Sequence, residues 1–234
     1  MHMGNEATAT VLVERDGPRA NIILNRPERK NSFTAGMAEE LRDAIRAVNA
    51  DPTVNCVVLQ GAGGVFTSGI DLKVAGDGTK PGPISAWPEV HAALYRCPVP
   101  VVLALEKYAI NAGSSLVMAS NLVVAGESSF LQISEIQIGV TAAMNQMWLH
   151  LRHSAAVADH LTLRAERMGA QELLRLGVVT EVVADDQVLA RANELGDRIA
   201  SYPPSGRNGI ANVWKKLRGE MENPEEFFKG LMNL

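Results

Sequence analysis

"GVFTSGIDLK", residues 64–73, and "EKYAINAGSSLVMA", residues 106–119, share one layout. In each, an apolar run ends and a turn of small residues leads towards a helix-forming segment. A strand does not favour Gly69 or Asp71, and a surface turn does not favour Ile70. The first amides of a helix have no partner inside it. Helped by the helix dipole, such amides bind an oxyanion or a carbonyl oxygen. Small residues let a ligand approach the backbone closely. One such turn is common in α/β proteins. Two in one domain, each after a buried strand, point to a ligand site.

The segments around these turns alternate between strand and helix. Two β-rich runs flank Asp16-Gly17 in "TATVLVERDGPRANIILNR", a hairpin signal. Ser32 or Thr34 can cap the next helix, whose apolar residues Met37, Leu41, Ile45 and Val48 recur at helical spacing. "NCVVLQGAGG" reads as a buried strand ending in a glycine loop, and "VPVVLALE" as a second buried strand. Between them, "EVHAALYRC" is a helix stopped by Pro98. "VAGDGTKPGPISAWPE", rich in Gly and Pro, is expected to be a mobile loop. "NLVVAG" follows the second turn as another strand. From Ala142 onward the pattern is mostly helical, with one short strand in "GVVTEVVA". Pro203 and Pro204 separate a helix over 188–200 from the last ones. The alternation predicts an α/β domain of repeated β-β-α units.

The 234 residues suffice for one large domain or a domain with a small appendage. A net charge of −4 argues against a nucleic-acid groove, which needs a clustered positive surface. Small basic clusters over 26–30 and 215–218 suit one phosphorylated small molecule better than a polyanion. Cys56 and Cys97 lie in apolar surroundings without metal-type spacing, and read as reduced thiols of a cytoplasmic protein. No apolar run reaches membrane-spanning length, and the first ten residues have no signal-peptide layout. His150 and His153 stand three residues apart, but no carboxylate or cysteine joins them at metal-site spacing, so no metal is expected.

Five stretches in this order carry a resemblance: "LNRPERKNSF", "GVFTSGIDLK", "PVPVVLALEKYAINAGSSLVMASNLVVAG", "SEIQIGV" and "LTLRAERMGAQELLRLGVVTEVV". Together they resemble the crotonase superfamily, the enoyl-CoA hydratase/isomerase family, over about residues 11–200. The resemblance implies an α/β fold, a crotonase-like spiral of β-β-α units with a helical C-terminal trimerisation region. It divides the chain into an N-terminal tail over 1–10, a core over 11–185 and a helical region over 186–234. It also implies a homotrimer or hexamer.

By the same resemblance the substrate is an acyl-CoA thioester, with coenzyme A part of the substrate rather than a separate cofactor. The thioester oxygen falls to the main-chain N–H groups of Ile70 and Ala112. Donors aimed at a developing oxyanion lower the barrier by about 3–4 kcal/mol each. Coenzyme A is placed near Arg29, Lys30, Ser68, Asp71, Leu72, Lys73 and Gly113, with Arg29, Lys30 and Lys73 suited to its phosphates. Asp71 is expected at a helix start, as a cap.

Hydratases of the family use two glutamates. Ser115 stands where the first belongs, and Glu135 in "SEIQIG" matches the second. A single base suits a proton moved between carbons of one substrate, as in an enoyl-CoA isomerase, better than concerted addition of water. Ser115 can orient water by hydrogen bonding, or simply pack a helix start; without an activating neighbour it is no base. Trp87, Trp148 and Met144 are candidates for the acyl pocket or for the core. Two other readings remain: a catalytically silent acyl-CoA binder, and a carbon–carbon bond hydrolase of the same fold.

Overall fold

The computed structural model describes residues 9–71, 84–218 and 221–232. Leu72, Lys73 and most of the Gly/Pro-rich loop expected over 74–89 lie outside the described residues.

The chain opens with the expected hairpin. Strands β1 (Val11–Asp16) and β2 (Arg19–Leu24) pair antiparallel, with Asp16 opposite Arg19. Helix α1 (Ala35–Ala50) follows, and Thr34 Oγ1 caps it by accepting from Met37 N–H at 3.2 Å. Ser32, the alternative cap, instead accepts from Arg26 Nη1 at 3.1 Å. Met37, Leu41, Ile45 and Val48 form the buried face of α1, as their spacing requires.

Strands β3 (Cys56–Gly61), β4 (Val101–Leu105), β6 (Leu122–Gly126) and β9 (Glu181–Val183) continue the sheet in the order β1-β2-β3-β4-β6-β9. Every pairing after the hairpin is parallel. Side chains alternate between the faces. Val57, Leu59, Leu103 and Leu105 enter the main core with α1, α2 (Trp87–Tyr95) and α3 (Ala112–Ala119). Cys56, Val58, Val102 and Ala104 point the other way, where α7 (Val188–Ala200) covers them with Val188, Ala192, Leu195 and Ile199. The unbroken apolar runs of β3 and β4 thus follow from burial on both faces. Each fully buried Leu contributes about 1.5–3 kcal/mol.

A second sheet was not legible in the sequence. Strands β5 (Tyr108–Ile110), β7 (Phe130–Gln132) and β8 (Arg167–Gly169) form it in the order β5-β7-β8. Because β8 and β9 both follow residue 142, the expectation of a single strand there is corrected to two. Three-residue strands are too short for alternation to show. The helices α4 (Ala143–Arg152), α5 (Ala155–Arg164) and α6 (Ala170–Arg175) lie between them. The chain ends with α8 (Pro204–Arg218) and α9 (Pro224–Leu231), α9 packing on α2. Among the described residues no helix is long and apolar enough to cross a membrane.

Candidate active site

The two glycine turns meet. Phe33 N–H donates to Gly69 C=O at 2.8 Å, and Asp71 N–H donates to Phe33 C=O at 2.9 Å. Phe33 therefore takes both main-chain bonds flanking Ile70, and the Ile70 N–H faces away from it. Thr67 bridges Ala109 of β5 in the same way. Gly69 has φ +87°, and a methyl there would stand 2.6 Å from Ile110 C=O. A methyl on Gly113 would stand 2.3 Å from Thr67 Cγ2. Each glycine is thus bare because the other turn occupies its space.

Ala112 is the first residue of α3, so its N–H has no acceptor within the helix. Among the described residues neither Ile70 N–H nor Ala112 N–H has a hydrogen-bond partner. Both residues border one cavity of about 260 Å³, together with Ser68, Trp87, Met144, Asn145 and Glu135. A larger cavity of about 430 Å³ between α2, α4 and α7 is bordered, among the described residues, by neither turn and by no carboxylate.

Glu135 begins a short 3-10 helix over 135–138 and is buried. Its Oε1 accepts from Asn145 Nδ2 at 3.1 Å, while Oε2 has no partner among the described residues. Burial pushes its carboxyl up to about 7, against the opposing pull of the Asn145 hydrogen bond. The group is thus poised to hold or release a proton near neutrality.

Ser115 lies elsewhere. It is fully buried and does not border the cavity. Its hydroxyl donates to Ala112 C=O at 2.6 Å and stands 3.1 Å from His91 Nε2. His91 is fully buried in an aromatic cluster with Trp87, Trp148 and Phe228. Trp148 belongs to that core rather than to this cavity, whereas Trp87 and Met144 border it.

Of the residues expected near coenzyme A, Arg29 and Lys30 lie in the turn before α1, Ser68 and Asp71 in the first glycine turn, and Gly113 in the first turn of α3. Asp71 is buried and pairs with Arg26 at 2.8 Å and with Arg29 at 3.3 Å. Its carboxylate thus faces guanidinium groups, and the helix it was expected to cap lies outside the described residues. Lys30 is exposed, with φ +53°, and its carbonyl accepts from Ser68 N–H at 3.0 Å. Gly113 is buried against Thr67.

Three asparagines that the sequence reading passed over build the site. Asn31 Nδ2 donates to Ala62 C=O and Val65 C=O, and its Oδ1 accepts from Arg26 N–H, so it staples "RPERKN" to the loop before Gly69. Asn111, at φ +51° and ψ −114°, accepts from Ser134 N–H through Oδ1 at 2.7 Å, tying the second turn to the Glu135 segment. Asn145 Nδ2 joins Asn111 C=O to Glu135 Oε1, at 3.1 Å each. For Asn31 and Asn111, both at positive φ, the available signal was asparagine beside small residues, since asparagine tolerates that conformation.

The sequence profile of the enoyl-CoA hydratase/isomerase family matches residues 17–226. A Mycobacterium tuberculosis protein named enoyl-CoA hydratase EchA19 is 33% identical over 233 residues, covering 96% of this chain and 86% of that one. A mitochondrial rat protein named Delta(3,5)-Delta(2,4)-dienoyl-CoA isomerase is 29% identical over 206 residues, covering 81% of this chain and 63% of that one. A crystal structure of an enoyl-CoA hydratase/isomerase from Pseudoalteromonas atlantica T6c superposes with a TM-score of 0.80 at 25% identity, covering 96% of this chain and 87% of that one. The fold is thus a mixed α/β fold of the crotonase type. The chain belongs to the enoyl-CoA hydratase/isomerase family.

Proposed function

We propose that the protein acts on an acyl-CoA thioester, holding the thioester oxygen between the N–H groups of Ile70 and Ala112 while Glu135 moves a proton at the acyl α-carbon. One observation carries this reading: two unpartnered main-chain donors and one carboxyl raised to about 7 border the same cavity. The α-proton of a thioester is weakly acidic. Removing it puts negative charge on the oxygen, where preorganised donors lower the barrier. The Glu135 carboxylate takes that proton through Oε2 and returns one to carbon. The coenzyme A moiety lies along residues 26–30 and 68–71, and its phosphates meet Arg29 and Lys30.

The test is proton exchange. Butanoyl-CoA incubated with the enzyme in D2O gains deuterium at the α-carbon, followed by mass spectrometry, and Glu135→Gln abolishes the gain. Tight binding of butanoyl-CoA without any exchange in the wild type would identify a silent binder instead.

A further inference from the structure

The larger cavity, of about 430 Å³, shares no bordering residue with the one that holds Glu135. Its inner wall is apolar, built from Leu94, Val101, Ala119, Trp148 and Ile199, all buried. Tyr202 and Ile210, both exposed, mark its mouth beside α8. Small-molecule sites between helices commonly enclose about 300–1,000 Å³, with mostly apolar walls and a few polar groups. The charged groups on this border, among the described residues, are the guanidiniums of Arg152 and Arg207. Arg152 Nη1 donates to Ala119 C=O at 2.8 Å, which fixes that guanidinium beside the wall. Arg207 is 6% exposed. It donates to Ala200 C=O, Tyr202 C=O, Asn55 Oδ1 and Asn208 Oδ1 at 2.9–3.3 Å. All of these acceptors are neutral, and a guanidinium carries one N–H donor more. Among the described residues no carboxylate pairs with Arg207. A buried cation without a counter-charge is costly, and interiors rarely hold one.

We propose that this cavity is a second binding site, for a medium-chain aliphatic carboxylate. The carboxylate supplies the negative charge that Arg207 lacks and accepts its remaining N–H, with Arg152 as the second cation on the same border. The aliphatic chain lies against Leu94, Val101 and Trp148, where its surface leaves water. A single anionic head on an apolar tail matches both halves of the border. An inorganic anion would leave the apolar wall bare, and an uncharged lipid would leave the cation unpaired. Ile70, Ala112 and Glu135 take no part, so the inference stands apart from the proposed function.

Isothermal titration calorimetry of the full chain with octanoate tests this. Octanoate is expected to bind saturably, at one site per chain. Octan-1-ol, with the same tail and no charge, is expected to bind at least about 10-fold more weakly. Arg207→Met is expected to weaken octanoate by about 10-fold and to leave octanol within about 3-fold. Arg207 also ties α8 to Asn55, so where that variant fails to fold by circular dichroism, Ile210→Glu carries the test. Ile210 is 75% exposed and one helical turn from Arg207, so the new carboxylate pairs with the cation without entering the core. Octanoate is then weakened by about 10-fold, and Ile210→Gln leaves it within about 3-fold. No saturable binding of octanoate, octanol as tight as octanoate, or equal effects of Ile210→Glu and Ile210→Gln overturns the proposal. Displacement of octanoate by butanoyl-CoA overturns it too, by placing the acid in the Glu135 cavity. If a second copy of this chain fills the cavity instead, octanoate finds no site and Ile210→Glu alters the sedimentation of the protein, which equally overturns it.

Discussion

Trp148 Nε1 donates to His91 Nδ1 at 2.9 Å. An indole N–H only donates, so Nδ1 is an acceptor and the ring proton sits on Nε2. That proton points at Ser115 Oγ, 3.1 Å away, and Ser115 in turn donates to Ala112 C=O. The serine–histidine contact therefore runs opposite to a nucleophilic dyad, in which the imidazole accepts from the hydroxyl. Burial holds His91 down at about 3, so the ring stays neutral at any pH near neutrality. Ser115→Ala is expected to leave turnover within about 3-fold and to cost about 1–3 kcal/mol of stability, the penalty of a buried unpaired Nε2–H. Urea melts and steady-state rates check both numbers; a 100-fold loss of rate would return Ser115 to the active site.

The carboxyl of Glu135 makes stability depend on pH. In the unfolded chain it ionises near 4.5, and in the folded chain near 7. Between those values the folded state keeps a proton that the unfolded state has lost. Stability from this group is thus full below about 4.5 and falls as pH rises to about 7, by about 3 kcal/mol in all. Glu135→Gln, which cannot ionise, is expected to lack this fall. Comparing melts of wild type and variant at pH 5 and pH 8 tests the sign. On the proposed function, the wild-type exchange rate rises with pH through about 7 as the carboxylate forms.

Gly69→Ala is expected to damage the first donor. The backbone there is left-handed, and the added methyl meets a carbonyl oxygen that belongs to β5 rather than a movable side chain. Stability should drop by roughly 1–3 kcal/mol. The Ile70 N–H shifts with it, and exchange activity should fall about 100-fold. Intact activity in this variant would mean that the Ile70 amide has no part in the reaction.

Gly113→Ala offers a sharper test because its clash is with one methyl, Thr67 Cγ2. Thr67→Ser removes that methyl and keeps the Oγ atom that donates to Asn31 C=O and accepts from Gly69 N–H. Alone, Gly113→Ala should destabilise by about 1–3 kcal/mol. Combined with Thr67→Ser, it should recover most of that loss, a coupling that a double-mutant cycle measures. Additive effects would show that the two turns do not touch in solution.

The two glycine turns could be read from residue types, while the roles expected of Ile70, Ala112 and Glu135 came from the family resemblance. Gly69 and Gly113 announced two close backbone approaches, and the small residues around them marked the turns carrying Ile70 and Ala112. Glu135 was singled out by its match to the family's second glutamate, and it borders the same cavity as both turns. What stayed hidden depends on partners distant in sequence. Nothing in "TAAMNQ" shows that Asn145 reaches both Asn111 and Glu135, because helical spacing gives the face of a residue but not what crosses from another segment. Ser115 looked like a substituted catalytic residue until His91, on α2, proved to be its neighbour. The three strands of the second sheet escaped for a simpler reason: each is three residues long, and pairing rather than propensity creates them.

The margins of the large sheet differ from its middle. At one side, β1 exposes Glu14, Arg15 and Asp16, with Arg15 held by Asp51. At the other, β9 is three residues long, and its Glu181 is clamped by Arg191. A foreign strand arriving at either side would have to strip an ion pair to gain a few hydrogen bonds. The apolar interior of this sheet is thus fenced against runaway polymerisation by charge on one flank and by brevity on the other.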